Sequence, residues 1–176
     1  MQIIIRQEEQ KDEPMVFELI EKAFATVVHS DKKEQFLVER LRKKTTFIPE
    51  LSLVATVNAQ LVGHILLTRI RIENREKSWD ALALAPVSVL PEWQGKGIGG
   101  QLIKKSHSIA LAMGFDKIIL IGHAAYYPRF GYQLLHEFGI KLPFEVPLEN
   151  AMICALTKHA LAGVKGQVQY PNEFFE

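Results

Sequence analysis

Residues 94–100 read Gln-Gly-Lys-Gly-Ile-Gly-Gly, with Gly95, Gly97, Gly99 and Gly100 packed ahead of a stretch with helical apolar spacing. Glycines uncover backbone N–H groups and allow close approach, and a helix start adds the positive end of its dipole. Such a turn suits an anion, a pyrophosphate above all, and Gln94 and Lys96 add a donor and a positive charge. Gly95, Gly97 and Gly100 also spell the G-x-G-x-x-G of a dinucleotide turn. That frame fails here, because the cluster follows the fourth expected strand rather than the first. The segment Ile118–His123, about 20 residues on, offers no carboxylate for a ribose. A Walker A loop fails as well, since Gly95-Lys96 is followed by Gly97 and not by Ser or Thr. A plain strand-to-helix turn accounts for one or two of these glycines, not four.

The other reactive side chains narrow the chemistry further. The six histidines (29, 64, 107, 123, 136 and 159) show no H-x-x-x-H spacing, and the single cysteine, Cys154, allows no zinc motif, so no metal is expected. One cysteine also excludes a disulfide within the chain and fits a reduced, cytoplasmic setting. A net charge of +1 over 176 residues gives no field toward nucleic acid or an acidic membrane. The opening MQIIIRQEEQKDEP does not read as a signal peptide, and no apolar run is long enough to span a bilayer.

The elements that must position these residues follow from periodicity. Ile3–Ile5 reads as a short strand, Pro14–Val28 as a helix with Pro14 in its first turn, and Lys33–Lys43 as a second helix. Leu53–Val57 and Leu61–Ile72 form a hairpin around Asn58-Ala59-Gln60. Leu82–Leu90 is a third long strand, interrupted by Pro86, and Gly97–Met113 is a helix closed by Gly114. Lys117–Ile121, Tyr132–His136 and Asn150–Thr157 complete the strands, and Lys158–Glu176 reads as a loop that packs down. The order predicts one mixed α/β domain over residues 1–176 rather than a doubly wound sheet.

With the glycines placed between a strand and a helix, Pro86-Val87-Ser88-Val89 followed by Gln94-Gly95-Lys96-Gly97-Ile98-Gly99 resembles motif A of the GCN5-related N-acetyltransferases (GNAT), Q/R-x-x-G-x-G/A. Tyr127-Pro128-Arg129-Phe130-Gly131-Tyr132 resembles that family's Y-x-x-x-G-F/Y element, at the usual separation. Gly122–Tyr132 and the Val168–Phe174 end are similar to a bacterial subgroup of predicted acetyltransferases. The resemblance implies a mostly antiparallel central sheet flanked by helices, with a splayed strand pair forming the CoA slot. It implies acetyl-CoA as donor and a primary amine, on a small molecule or a protein, as acceptor.

Carried onto this chain, the resemblance places the pyrophosphate on Gln94, Gly95, Lys96, Gly97, Ile98, Gly99 and Gly100. The pantetheine arm then runs along Val87, Ser88 and Val89 as an added strand, with an N–H near Val87–Ser88 facing the thioester oxygen. Pro86 stands where the family has a strand bulge, so the splay is expected to begin there. Tyr127 matches the family's general acid, with Tyr126 as its neighbouring competitor. Many relatives carry Asn after the fifth strand, where this chain has Gly122-His123-Ala124; His123 either replaces that contact or is a surface loop residue. The base that deprotonates the amine is open among Glu34, His29, His64 and His123; His64, among aliphatics, also suits a core residue.

Direct attack in a ternary complex is expected, by a monomer or homodimer, since Cys154 lies far from the glycine loop in sequence. The alternatives are a CoA or acyl-CoA sensor without turnover and a nucleotide-binding module of another fold.

Overall fold

The computed structural model describes residues 1–176. The chain opens with β1 (Ile4–Gln7), α1 (Glu13–Phe24) and α2 (Glu34–Leu41), then β2 (Phe47–Val57), β3 (Gln60–Glu73) and β4 (Ser78–Val89). After these come α3 (Ile98–Ala112), β5 (Lys117–Ile121), β6 (Tyr132–Leu134), β7 (Ile140–Lys141), β8 (Ala151–Ala155) and β9 (Gly166–Gln169). The sheet runs β1-β2-β3-β4-β5-β8-β6, with β9 joined to β3 and β7. Only the β4–β5 and β7–β9 pairs are parallel.

Period-two alternation sends each strand's side chains to two different cores. Leu53, Ile65, Leu67, Leu82, Leu84, Ile118 and Leu120 face α3, where Ile98, Leu102, Ile103 and Ala110 meet them. On the other face Val54 and Leu66 pack against Val16, Leu19 and Ile20 of α1 and Val38 and Leu41 of α2. Further along that face Ile70, Ile72, Ala83, Ile119 and Ile153 are covered by Leu135, Ile140, Val164 and Val168 from the C-terminal third. Each aliphatic side chain so buried contributes about 1.5–3 kcal/mol, enough to offset the ordering of its own residue and little more.

Several element limits differ from those expected. β2 starts at Phe47 rather than Leu53, because Pro49 and Glu50 break the alternation while the pairing with β3 slips between Phe47 and Ser52. β4 starts at Ser78 rather than Leu82, its first residues forming the exposed end of a hairpin where Ser78 and Asp80 are polar. α1 ends at Phe24, and Val28 beyond it stands 87% exposed. The expected C-terminal loop contains β9, which lies against Arg71–Glu73 where β2 no longer covers β3. A strand of sequence Gly-Gln-Val-Gln has one apolar residue and carries no period to detect.

The β2–β3 hairpin turns through Asn58 and Ala59, both left-handed at φ 49° and 65°. Asn tolerates that region, whereas the Ala59 Cβ crowds the following carbonyl at about 1–2 kcal/mol. Ala59→Gly should therefore raise the free energy of urea unfolding by roughly 0.5–1 kcal/mol. A loss of stability in that variant would show the turn to be unstrained.

Candidate active site

The site is organised by an irregularity in β4. Ile65 pairs with Val87 but Leu67 pairs with Leu84, so Ala85 and Pro86 together oppose the single residue Leu66. Proline has no N–H for a ladder, and a bulge is where a strand accommodates it. The parallel pairing with β5 consists of Leu82 with Ile118 and Ala83 with Ile119, and stops there. From Leu84 to Val89 the β4 edge is open for about 20 Å.

The backbone groups facing that opening can be assigned. The Leu90 N–H donates to the Val62 carbonyl at 3.0 Å, which makes Val62/Leu90 and, two residues on, His64/Ser88 the hydrogen-bonded pairs of the β3–β4 ladder. Val87 and Val89, in the alternate positions, turn their N–H and C=O away from β3. The Val89 carbonyl accepts the Gln94 side-chain amide at 3.1 Å, tying the glycine loop to the end of β4. Val87 keeps both groups free.

In the loop, Gly95 and Gly97 are left-handed at φ 74° and 79°, which explains why these two positions are glycine. α3 begins at Ile98 with no side-chain cap. Between Gln94, whose N–H goes to Pro91, and Gln101, whose N–H goes to Gly97, no backbone donor has a partner. Six consecutive N–H groups, Gly95 to Gly100, are thus left without acceptors at the positive end of a 15-residue helix. Gly99 and Gly100 are glycine for another reason. A Cβ on Gly99 would lie 3.3 Å from the Tyr126 hydroxyl, and one on Gly100 3.3 Å from the Phe130 ring. The Lys96 ammonium lies 4.5 Å from the centre of the Trp93 ring, beside the loop.

Tyr127 starts a short 3-10 turn (Tyr127–Phe130) and stands edge-on to Tyr126 and Tyr132. A Cβ on Gly122 would sit 2.3 Å from its ring, so the small residue after β5 makes room for Tyr127. Burial, reinforced by Tyr126, pushes the Tyr127 phenol up to about 12, which keeps it protonated at neutral pH. Val87, Val89, Tyr126 and Phe130 pack around the same core as Tyr127, so the structure brings these parts together on the α3 face. His123 is exposed, and its carbonyl accepts the Tyr126 N–H at 3.0 Å. Asn150 clamps this turn. Its side chain donates to the Gly122 carbonyl at 2.9 Å and its own carbonyl accepts the Gly122 N–H at 2.9 Å. No spacing in the sequence signals that contact.

His64 and Glu34 lie apart from this group, on the α1/α2 side. His64 is 0% exposed, with Nε2 3.1 Å from the Ser52 hydroxyl and 3.7 Å from a Glu8 carboxylate oxygen. Glu8 in turn accepts from Ser52 and from Arg42, so the histidine ends a buried polar chain. Sequence reasoning passes over Glu8, which sits in an acidic run, and over Ser52. Glu34 opens α2, with one carboxylate oxygen on the Ser30 hydroxyl and the other buried without a partner. Beyond β5, Ile121 pairs with Ala151. Ala151 lines a cavity of about 660 Å³ with Leu135, Ile140, Lys141, Phe144 and Glu145, mostly apolar.

Burial alone would raise the Glu8 carboxyl, but His64, Ser52 and Arg42 together lower it from 4.5 to about 2. A depressed carboxylate stabilises the fold above the unfolded value and ceases to do so as pH falls through the folded one. Glu8 thus contributes about 3 kcal/mol that disappears between pH about 4.5 and about 2. Urea unfolding of Glu8→Gln beside the wild type should show a wide gap at pH 7 that narrows across that window. A constant gap would mean that Glu8 is not held ionised.

A family model described as an acetyltransferase (GNAT) domain matches residues 4–135. The uncharacterized N-acetyltransferase YjhQ of Escherichia coli K12 is 38% identical over 119 residues, 67% of this chain and 66% of that protein, just under two thirds of its length. Two solved structures share the fold. One is the GNAT family N-acetyltransferase YhbS of Escherichia coli in complex with CoA, with a TM-score of 0.90, 24% identity and coverage of 100% of this chain and 93% of that one. The other is a GNAT family acetyltransferase from Brucella melitensis in complex with acetyl-CoA, with a TM-score of 0.80, 32% identity and 98% of both chains covered. A β4 edge splayed from β5, a glycine turn of free donors at the start of α3 and these likenesses together show that the chain belongs to the GNAT acetyltransferase family.

Proposed function

We propose that this chain transfers an acetyl group from acetyl-CoA to a primary amine by direct attack within a ternary complex. The observation that carries this is the continuity of two features: the open edge of β4 at Val87 runs into the unpartnered N–H groups of Gly95–Gly100. The Brucella relative, 32% identical, was solved with acetyl-CoA, which supports the same donor here.

On this reading the Gly95–Gly100 donors hold the pyrophosphate, with Gln94 bracing the loop and Lys96 at its rim. The pantetheine amides pair with Val87, flanked by Ser88 and Val89. Val89 is nearer the phosphate loop, so the thioester falls toward the bulge, where the Val87 N–H meets the carbonyl oxygen as it gains charge. The free amine nitrogen bonds to the carbonyl carbon, the carbon–sulfur bond breaks, the protonated Tyr127 donates to the departing sulfur, and the surplus proton on the new amide nitrogen passes back to the Tyr127 oxygen. His123 borders the slot on the exposed turn after β5. On the opposite face Glu34, with one buried carboxylate oxygen unused, attracts the incoming ammonium, and His64 is the base. Cys154 is 3% exposed and burial raises its thiol to about 11, which disfavours a covalent acetyl-cysteine route.

Acetyl-CoA and CoA should raise the melting temperature in a thermal-shift assay while NAD and ATP do not. Stabilisation by NAD or ATP without CoA would overturn the proposal. With a panel of amino acids and polyamines and detection of the released thiol, Tyr127→Phe should lower kcat roughly 10- to 100-fold with CoA affinity nearly unchanged. An unaffected rate removes Tyr127 as the acid.

A further inference from the structure

Two buried polar atoms without partners occur on directly paired residues of adjacent strands. His64 Nδ1 and the Ser88 hydroxyl are both sealed and unsatisfied, and His64 and Ser88 face each other in the β3–β4 register. Side chains opposed across an antiparallel pair stand on the same face about 5 Å apart. Unpaired buried polar groups cost about 1–3 kcal/mol each, so two together ask for a purpose.

The other side of the ring fixes its protons. Glu8, paired with Arg42, has, as a carboxylate, acceptor oxygens only. The one proton of Ser52 must therefore go to Glu8, which leaves the Ser52 oxygen to accept from His64. In the neutral ring Nε2 then carries the hydrogen and Nδ1 keeps a bare lone pair. Glu8 next to β1 and Ser52 from β2 face the ring, Arg42 after α2 lies behind Glu8, and Val54 of β2 and Ser88 of β4 are paired with His64 across the sheet.

We propose that Glu8 and Ser52 are positioning residues that hold His64 as the Nε2–H tautomer, and that Ser88 carries the proton of the incoming amine to the His64 Nδ1 lone pair. This rests on the acetyltransferase reading above. Ser88 lies between Val87 and Val89, with its side chain on the face opposite the α3 core. An ammonium arriving from that face gives a proton to the Ser88 oxygen while the Ser88 proton moves to Nδ1. The freed amine attacks the thioester, the sulfur takes its proton from Tyr127, the surplus proton of the new amide nitrogen restores the Tyr127 phenol, and the imidazolium formed is balanced by Glu8 through Ser52. Ser88 stands on β4, between the open edge and His64, so it and not the histidine is the catalytic contact; its hydroxyl is sealed in the free protein, and the arriving acceptor must open the path to it.

The test reads the tautomer directly. In protein labelled with 15N at histidine rings, a long-range proton–nitrogen spectrum should show His64 with its hydrogen on Nε2, assigned by the signals missing in His64→Asn. Ser52→Ala should convert this to the other tautomer or a mixture, and Ser52→Thr should restore it. An Nδ1–H ring in the wild type, or a spectrum unmoved by both Ser52→Ala and Glu8→Gln, overturns the relay. Using an amine from the panel above that is turned over, Ser88→Ala should reduce kcat at least tenfold with an unchanged CoA thermal shift, and Ser88→Thr should recover most of it. A Ser88→Ala rate equal to the wild type also sinks the relay while leaving the acetyltransferase intact. Failure of the wild type to bind acetyl-CoA sinks both.

Discussion

The parallel ladder between β4 and β5 is two rungs long, and the architecture follows from its ending there. Below Leu84 the two strands are one buried sheet, covered on both faces. Above it β4 follows β3 through the bulge opposite Leu66, while β5 turns away to pair with β8 alone. A paired β4 would present no backbone to a ligand. A long open edge is normally an invitation to aggregation. Here it is bounded by the glycine loop at one end and by Tyr126 and Tyr127 across the gap, so a narrow, extended, amide-bearing partner fits it better than another protein strand.

Side-chain alternation around that opening divides the work between two faces. Val87 and Val89 lie on the α3 face with the glycine loop, and Ser88 lies on the α1/α2 face with His64. On the proposed reading, donor and acceptor would reach one point of β4 from opposite sides of the sheet, and neither would have to displace the other. A single-residue slip in the β3–β4 pairing would exchange the faces. The bulge at Ala85-Pro86 is thus constrained twice, once by the opening and once by the side to which Ser88 points.

How much of this could be read from the sequence depends on whether the signal is local. The glycine loop and Pro86 are local, because each reports a backbone demand at its own position. The two frames read from 94–100 separate in the same way. Gly95 and Gly97 are required by conformation, and Gly99 and Gly100 by the aromatic side chains of Tyr126 and Phe130 that close on them from another segment. The segment Gly122-His123-Ala124 stands where the resemblance implies an Asn, and Gly122 within it is small for a reason of its own. The Tyr127 ring lies against it and leaves no room for a Cβ. Glu8, Ser52 and Asn150 were not legible. Their roles are set by register between distant strands, and β2 slips against β3 at two places, so no count along the chain aligns Ser52 with His64. The strand β9 escaped for the related reason that its partner, not its composition, makes it a strand.

The same distinction explains why the buried chain from Arg42 to His64 belongs with function rather than with stability. Burying a charged pair and a histidine in place of aliphatics gains the fold little, since desolvation consumes much of the attraction. Arg42, Glu8 and Ser52 satisfy one another and satisfy Nε2 of the ring. Two atoms of the chain are left without partners, Arg42 Nε at one end and His64 Nδ1 at the other. A network built for stability would have closed both gaps, or replaced the ring by leucine. What remains is a lone pair held in one tautomer, opposite the Ser88 hydroxyl on the stretch of β4 that borders the slot.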